Sequence, residues 1–126
     1  MEIHLDTSFL IRSLLAGTAE SRSLDRWVRQ GETIKISAMV WAEFLCGPVG
    51  PSEVDVVSVL MQEIVPYTAA DCEMTARLFN LGGRRRGSLP DCMIAAVAVR
   101  AGGALATANP GDFRRFGSTS LSILEP

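Results

Sequence analysis

The chain has 126 residues, which suits one compact domain and excludes two domains that each bury a core of their own. Hydrophobic residues make up 48% and charged residues 21% of the sequence, which is ordinary globular usage and excludes a disordered chain. The net charge of −2 argues against a surface dominated by a basic, phosphate-binding stripe, and we expect a single domain over residues 1–126.

The few cysteine and histidine side chains limit the available chemistry. Cys46, Cys72 and Cys92 are an odd number without CxxC spacing, so we expect reduced, mostly buried thiols in a cytoplasmic protein. His4 stands alone, which excludes a His-rich zinc site and leaves no Ser-His-Asp triad, and we expect an ordinary strand residue there. No signal-peptide pattern and no run of 18 apolar residues occurs, so no membrane segment is expected.

The first half of the chain alternates short strands with helices. Polar and apolar residues alternate over Glu2–Leu5, and apolar residues then recur at helical spacing between turn signals. The predicted elements are a strand at Glu2–Leu5, helices at 9–15 and 19–30, a strand at 33–36, a helix at 38–45, and a helix capped by Ser52 with Val56, Val57, Leu60 and Met61 as its apolar stripe.

The second half continues the alternation. The predicted elements are a strand at 63–66, a helix opened by Thr68 or Asp71 that buries Met74, Leu78 and Leu81, an alanine-rich helix at 92–100, a strand at 104–107, a partial helix within 110–116 and a last strand at 121–124. Strands that alternate with helices predict an α/β fold with a mainly parallel sheet and right-handed crossovers. The active crevice of such a sheet lies beyond the carboxyl ends of its strands.

Four of the 14 acidic residues stand out by their positions. Asp6 follows the first predicted strand, and Asp112 follows the strand predicted at 104–107. Glu43 lies inside an apolar helix, where an ionised carboxylate is costly to bury without a compensating partner. Asp91 precedes the alanine-rich helix and is either a helix N-cap or a functional group. Their four separate segments are expected to converge on one edge of the sheet.

Clustered carboxylates require a cation, because like charges raise one another's pKa. A site built from oxygen ligands suits Mg²⁺ or Mn²⁺ rather than zinc. Such an ion lowers the pKa of a bound water and neutralises charge on a phosphodiester. The neighbouring Ser8, Thr107 and Asn109 are expected to hold a water or to orient the ligand carboxylates.

The segments that carry these residues are LDTSFLI at 5–11, SAMVWAEFLCG at 37–47, LPDCMIAA at 89–96 and TANPGDF at 107–113. Together and in this order they resemble the four motifs of PIN domains, and the length and spacing resemble the VapC-like toxin branch. The resemblance implies a five-stranded parallel sheet between helices and Mg²⁺- or Mn²⁺-dependent cleavage of RNA.

Carried over motif by motif, the resemblance makes Asp6, Glu43 and Asp91 metal ligands that activate the attacking water, and Asp112 is a further candidate for a catalytic metal ligand. The fourth motif of the family often has an acid where this chain has Asn109, so either Asn109 or Asp112 is expected to face the metal. The resemblance also implies a cognate antitoxin as the protein partner and a homodimer.

Two alternatives to an RNA-cleaving toxin remain open. One is a PIN-fold module that binds RNA or protein without catalysis, and the other is a metal-dependent DNA nuclease or phosphatase with similar ligands. The run Arg84, Arg85 and Arg86 also has two interpretations. It is either a solvated loop or an RNA-binding patch that contacts phosphates beside the carboxylates.

Overall fold

The computed structural model describes residues 1–61, 63–116 and 120–126. Its strands are β1 (Glu2–Leu5), β2 (Thr33–Ser37), β3 (Ile64–Val65), β4 (Ala104–Ala106) and β5 (Ser122–Leu124). Its helices are α1 (Thr7–Ser13), α2 (Ala19–Arg29), α3 (Ala38–Cys46), α4 (Pro51–Leu60), α5 (Ala69–Leu81), α6 (Leu89–Ala101) and α7 (Gly111–Arg114).

The strands form one five-stranded sheet in the order β3-β2-β1-β4-β5, and every pairing is parallel. Helices flank the sheet in an α/β/α arrangement. The prediction of a mainly parallel α/β sheet is therefore confirmed, and the sheet proves to be parallel throughout.

The strand order reverses direction next to β1. From β1 the chain moves outward on one side to β2 and β3, then returns across the sheet to build β4 and β5 on the other side. Parallel sheets open a crevice at such a switch point, beyond the carboxyl ends of the two strands that diverge. In this chain those strands are β1 and β4, whose last residues Leu5 and Ala106 are register partners.

The hydrophobic core lies on both sides of the central strands. Ile3 and Leu5 in β1 are fully buried, as expected for a parallel strand covered by helices on both faces. Helix α6 is buried along most of its length, and its small alanine side chains allow close packing against α5 and α3. Phe9 stacks on Trp27 with ring centroids 5.4 Å apart, which joins α1 to α2.

Three helix starts differ from the sequence-based prediction, and the first is α1, which begins at Thr7 rather than at position 9. Ser52 does not cap α4, because Gly50 is the N-cap and the Glu53 carboxylate accepts a hydrogen bond from the Gly50 N–H. Helix α6 begins at Leu89 rather than after Asp91, because Pro90 fits in the first helical turn, where no amide donor is needed. Asp91 is therefore an internal helix residue and not an N-cap.

Several expectations about burial also need correction. Leu81 and Val56, predicted on buried faces, are exposed. Cys46 and Cys72 are exposed free thiols, and only Cys92 is buried. His4 lies in a strand, β1, as expected, and its side chain is buried. Within the part of the chain that the structure describes, no helix has the length and apolar character needed to cross a membrane.

Candidate active site

A pocket of about 300 Å³ opens at the switch point beyond β1 and β4. All four acidic residues singled out from the sequence line it. The lining residues are Asp6, Thr7, Ser8, Ile11, Glu43, Asp91, Ile94, Asn109, Asp112 and Phe113. The carboxylates come from four separate segments, so the fold brings together groups that are far apart in the chain.

Asp6 stands at the end of β1 and is the N-cap of α1. Its Oδ1 accepts hydrogen bonds from the Phe9 N–H at 2.8 Å and the Ser8 hydroxyl at 2.9 Å. Its Oδ2 accepts from the Thr107 hydroxyl at 2.5 Å. Burial raises the pKa of Asp6 above its ordinary value, although these three hydrogen bonds act to lower it. A carboxylate has about four acceptor positions, so one remains for a cation.

Thr107 fixes the orientation of Asp6 from the neighbouring strand. It follows the last residue of β4 and is fully buried. Its hydroxyl donates to Asp6 and at the same time accepts a hydrogen bond from the Asn109 N–H at 2.9 Å. Thr107 does not line the pocket itself, which fits the supporting position expected for it. Asn109 and Asp112 both line the pocket.

Glu43 reaches the pocket from α3. The Ser37 hydroxyl at the end of β2 caps this helix by accepting from the Val40 N–H, which fixes where α3 begins. Glu43 Oε1 accepts a hydrogen bond from the Thr7 hydroxyl at 2.6 Å. Sequence reasoning missed Thr7 as a partner, although its place directly after Asp6 was a usable signal.

Asp91 is the carboxylate on which burial and the neighbouring negative charges act most strongly. Burial and the neighbouring charge of Asp112 raise the pKa of Asp91 to about 6, and the charges of Asp6 and Glu43 add to the effect. Arg115 opposes it from 3.9 Å. Negative charge is therefore in excess in the pocket.

The donors in the pocket fit a divalent cation by charge and chemistry. They are carboxylate oxygens, which Mg²⁺ and Mn²⁺ prefer, and a bound cation would offset the burial and the neighbouring negative charges that raise the pKa of Asp91. Among the described residues, however, no three His, Cys, Asp or Glu side chains are grouped closely enough to hold a metal. The carboxylates line a common pocket, and they would have to move inward to share one ion.

Arg115 is the main site residue that sequence reasoning missed. It lies three positions after Asp112, and i, i+3 residues share one face of a helix, so the spacing was a signal that could have revealed it. Arg85 and Arg86 line a smaller adjoining pocket with Arg115, Asp91 and Asp112.

Arg84 does not lie with Arg85 and Arg86 in the basic patch predicted from the sequence. Its guanidinium donates to Asn80 and lies over the Phe79 ring, both in α5. Arg84 is not among the residues that line the smaller pocket. The patch beside the carboxylates thus consists of Arg85 and Arg86 with Arg115.

Comparison with solved structures shows the same fold over essentially the whole chain. VapBC2 from Rickettsia felis, bound to a DNA fragment from its promoter, matches with a TM-score of 0.78 and 21% identity over 100% of this chain and 99% of that chain. DNA-bound VapBC from Salmonella typhimurium matches with a TM-score of 0.74 and 20% identity over 99% and 98% of the two chains. VapBC-5 from Mycobacterium tuberculosis, a member of the VapBC family of toxin-antitoxin systems, matches with a TM-score of 0.68 and 21% identity over 99% of this chain and 98% of that chain.

Comparison at the level of sequence identifies the family of this chain, although no curated protein matches it. A search of curated proteins found no significant match. The sequence profile of the PIN domain matches residues 3–118, which is most of the chain and includes all four segments that line the pocket. The chain therefore belongs to the PIN domain family.

Proposed function

We propose that this protein is a metal-dependent endoribonuclease and the toxin of a toxin–antitoxin pair. The observation that carries the proposal is the meeting of Asp6, Glu43, Asp91 and Asp112 in one pocket at the sheet's switch point. A protein that only binds a partner has no need for four carboxylates that repel one another. Membership of a family that is typically made up of nucleases supports a hydrolytic role.

The chain's own residues would orient the reactants. A Mg²⁺ or Mn²⁺ ion held by Asp6, Glu43, Asp91 and Asp112 would neutralise phosphodiester charge and acidify water. Thr107 and Ser8 hold Asp6 in a fixed rotamer, and Thr7 does the same for Glu43. These hydrogen bonds would limit how far Asp6 and Glu43 have to reorient when the carboxylates close on the ion.

The proposed reaction is hydrolysis by in-line attack of water at phosphorus. A new P–O bond forms as the P–O3′ bond breaks, which leaves a 5′-phosphate and a 3′-hydroxyl. A carboxylate oxygen of the pocket accepts the proton that the water loses, and O3′ takes a proton from solvent. The pocket is open to the surface, so a single strand can reach it without threading.

The proposed partner is a cognate antitoxin, and we also propose a homodimer that acts on RNA in the cytoplasm. Support comes from the likeness to VapBC structures, which are toxin–antitoxin assemblies, together with the sequence resemblance to VapC-like toxins. Ile11 on α1 is exposed and lines the pocket, and Leu15, two residues beyond the helix, is exposed as well, so both offer apolar surface for a protein partner.

The deciding experiment is cleavage of a mixed single-stranded RNA pool with Mg²⁺ or Mn²⁺, with and without chelator. The wild type is compared with Asp6→Asn, Asp91→Asn and the control Asp55→Asn, which removes an exposed carboxylate of α4. We expect metal-dependent cleavage that both site variants lose and the control keeps. A DNA pool of the same sequences runs in parallel, and cleavage of DNA alone would contradict the RNA assignment. If the protein neither cleaves nucleic acid nor binds a divalent metal, the proposed enzymatic function is wrong.

A further inference from the structure

The guanidinium of Arg115 has two buried nitrogen donors without a hydrogen-bond acceptor in the part of the chain that the structure describes. The side chain is only 17% exposed, and its Nε and Nη2 have no hydrogen-bond partner among the residues that the structure describes. The nearest carboxylate oxygen, Asp91 Oδ2, lies 3.9 Å from Nη2, which is too long for a hydrogen bond. Buried donors left unpaired cost free energy, so this arrangement calls for an acceptor that arrives from outside.

The space beside Arg115 can take such an acceptor. A pocket of about 120 Å³ is lined by Arg85, Arg86, Gly87, Ser88, Asp91, Asp112 and Arg115. A single water needs only about 10–15 Å³ of probe-occupied volume, so a group of several atoms fits here. Three of these residues are arginines, and two, Asp91 and Asp112, are shared with the carboxylate pocket. The two pockets therefore adjoin.

The backbone of α5 leaves room for this guanidinium. A Cβ at Gly82 would lie 3.0 Å from Arg115 Cδ and 3.1 Å from Nε, closer than ordinary contacts. The φ of Gly82 is −80°, which any residue adopts, so its own conformation does not require glycine. The guanidinium carbon also lies over the ring of Phe116, 5.0 Å from the ring centroid, within the range of a cation–π contact. The Arg115 head group is thus held in one place.

A role as internal counter-ion for Asp91 accounts for the charge of Arg115 but not for its geometry. An arginine that serves a carboxylate usually donates two parallel hydrogen bonds to it. Here both buried donors are unpaired although the carboxylate is near. The planar fork also matches phosphate, which carries several acceptor oxygens.

We propose that Arg115 binds a backbone phosphate of the RNA strand next to the one that is cleaved, with Arg85 and Arg86 at the rim of the same pocket. The inference rests on the proposed nuclease function and names the contact that holds the substrate. A pocket rich in carboxylates repels a polyanion, and a buried arginine beside it offsets that repulsion where the strand must lie.

The first test measures RNA affinity in the Asp6→Asn background, which prevents cleavage. Binding of a fluorescently labelled single-stranded RNA is followed by anisotropy with Mg²⁺ at several salt concentrations. Arg115→Gln should weaken binding about tenfold and reduce the slope of log affinity against log salt by about 0.7, the value for one phosphate contact on a single strand. Arg115→Lys should recover part of the affinity.

The matched control is Arg114→Gln. Arg114 is the exposed last residue of α7, directly before Arg115, and pairs with Glu125, so its variant should bind RNA like the parent. Equal affinity and slope for the Arg115 and Arg114 variants would overturn the inference and leave the nuclease function standing. Far-ultraviolet circular dichroism establishes that each variant is folded.

A second measurement does not depend on RNA or on a variant. Inorganic phosphate is titrated into ¹⁵N-labelled wild-type protein, and the side-chain Nε–H signals of the arginines are recorded. A saturable shift of the Arg115 signal, larger than that of Arg114, supports the anion site even if no RNA is cleaved. No shift at Arg115 overturns it.

Discussion

Thr107 donates its hydroxyl proton to Asp6 at 2.5 Å, although 101 positions separate the two residues in the chain. The contact joins the ends of β1 and β4, the two strands that diverge at the switch point. It therefore couples the topology of the sheet to the orientation of the first carboxylate. Because the same hydroxyl accepts from the Asn109 N–H, it also fixes the start of the segment that leads to Asp112.

Thr107→Val should lower both stability and activity. Valine has the same shape but leaves buried Asp6 Oδ2 and the Asn109 N–H without a partner, which should cost about 1–3 kcal/mol. Urea unfolding measures the free energy, and RNA cleavage measures activity. Thr33→Val, at an exposed position in β2, is the control and should change little. Equal stability for the two variants would show that the Thr107 hydroxyl is dispensable.

Asp91→Asn should stabilise the metal-free protein at alkaline pH. Because burial and Asp112 raise the pKa of Asp91 to about 6, ionisation opposes folding. Wild-type stability should therefore fall as pH rises from about 3.8, the ordinary value, to about 6, and the variant should lack this fall. The measurement is the melting temperature of the wild type and of Asp91→Asn in chelator at pH 5 and pH 8.

The gain from Asp91→Asn should be largest at pH 8 and disappear when Mg²⁺ is added, because the ion stabilises only the wild type. Asp55→Asn serves as the exposed control. A lower melting temperature for Asp91→Asn at pH 8 in chelator would contradict the inference that ionisation of the buried Asp91 beside Asp112 opposes folding.

The parallel sheet could be predicted because each of the first four strands is short and followed by a helix. The position of Asp6 could be predicted for the same reason, since it directly follows a strand. The spacing from Asp112 could have shown that Arg115 lies near the site, but not how its side chain is held. Its guanidinium lies against Gly82 at the end of α5, and no local pattern encodes that contact.

Local sequence patterns also could not predict which apolar helix residues are buried at the edge of the fold. Leu81 continues the apolar spacing of α5 but is exposed, because periodicity gives a face and not the extent to which neighbours cover it. The start of α6 was misplaced because Pro90 was taken as a boundary, whereas proline is tolerated in the first turn of a helix.

Arg100→Met should destabilise the protein in a pH-dependent way. Asp71 is buried, which acts to raise its pKa, but hydrogen bonds from Arg100 and Thr68 lower it below its ordinary value overall. The pair therefore stabilises the fold above about pH 3.8, and this stability is lost as the pH falls toward the lowered pKa.

At pH 7 the expected loss for Arg100→Met is about 2 kcal/mol, less than for a fully buried pair because Arg100 is partly exposed. Urea unfolding at pH 7 and pH 3 measures it, and the loss should shrink at pH 3. Arg29→Met removes the exposed pair with Asp25 and should cost under about 0.5 kcal/mol. Equal costs for the two variants would refute a special role for the buried pair.

Gly82→Ala should weaken RNA binding without changing any charge. The added Cβ lies within 3.1 Å of Arg115 Nε, so the guanidinium must shift by a few tenths of an ångström from the phosphate pocket. We expect RNA affinity in the Asp6→Asn background to fall by a smaller factor than for Arg115→Gln, with the salt slope retained because the charge remains. Gly111→Ala is the control, since a Cβ there meets nothing within 4 Å. Wild-type affinity in Gly82→Ala would mean that the arginine adapts freely, and the fixed position inferred for its head group would then be wrong.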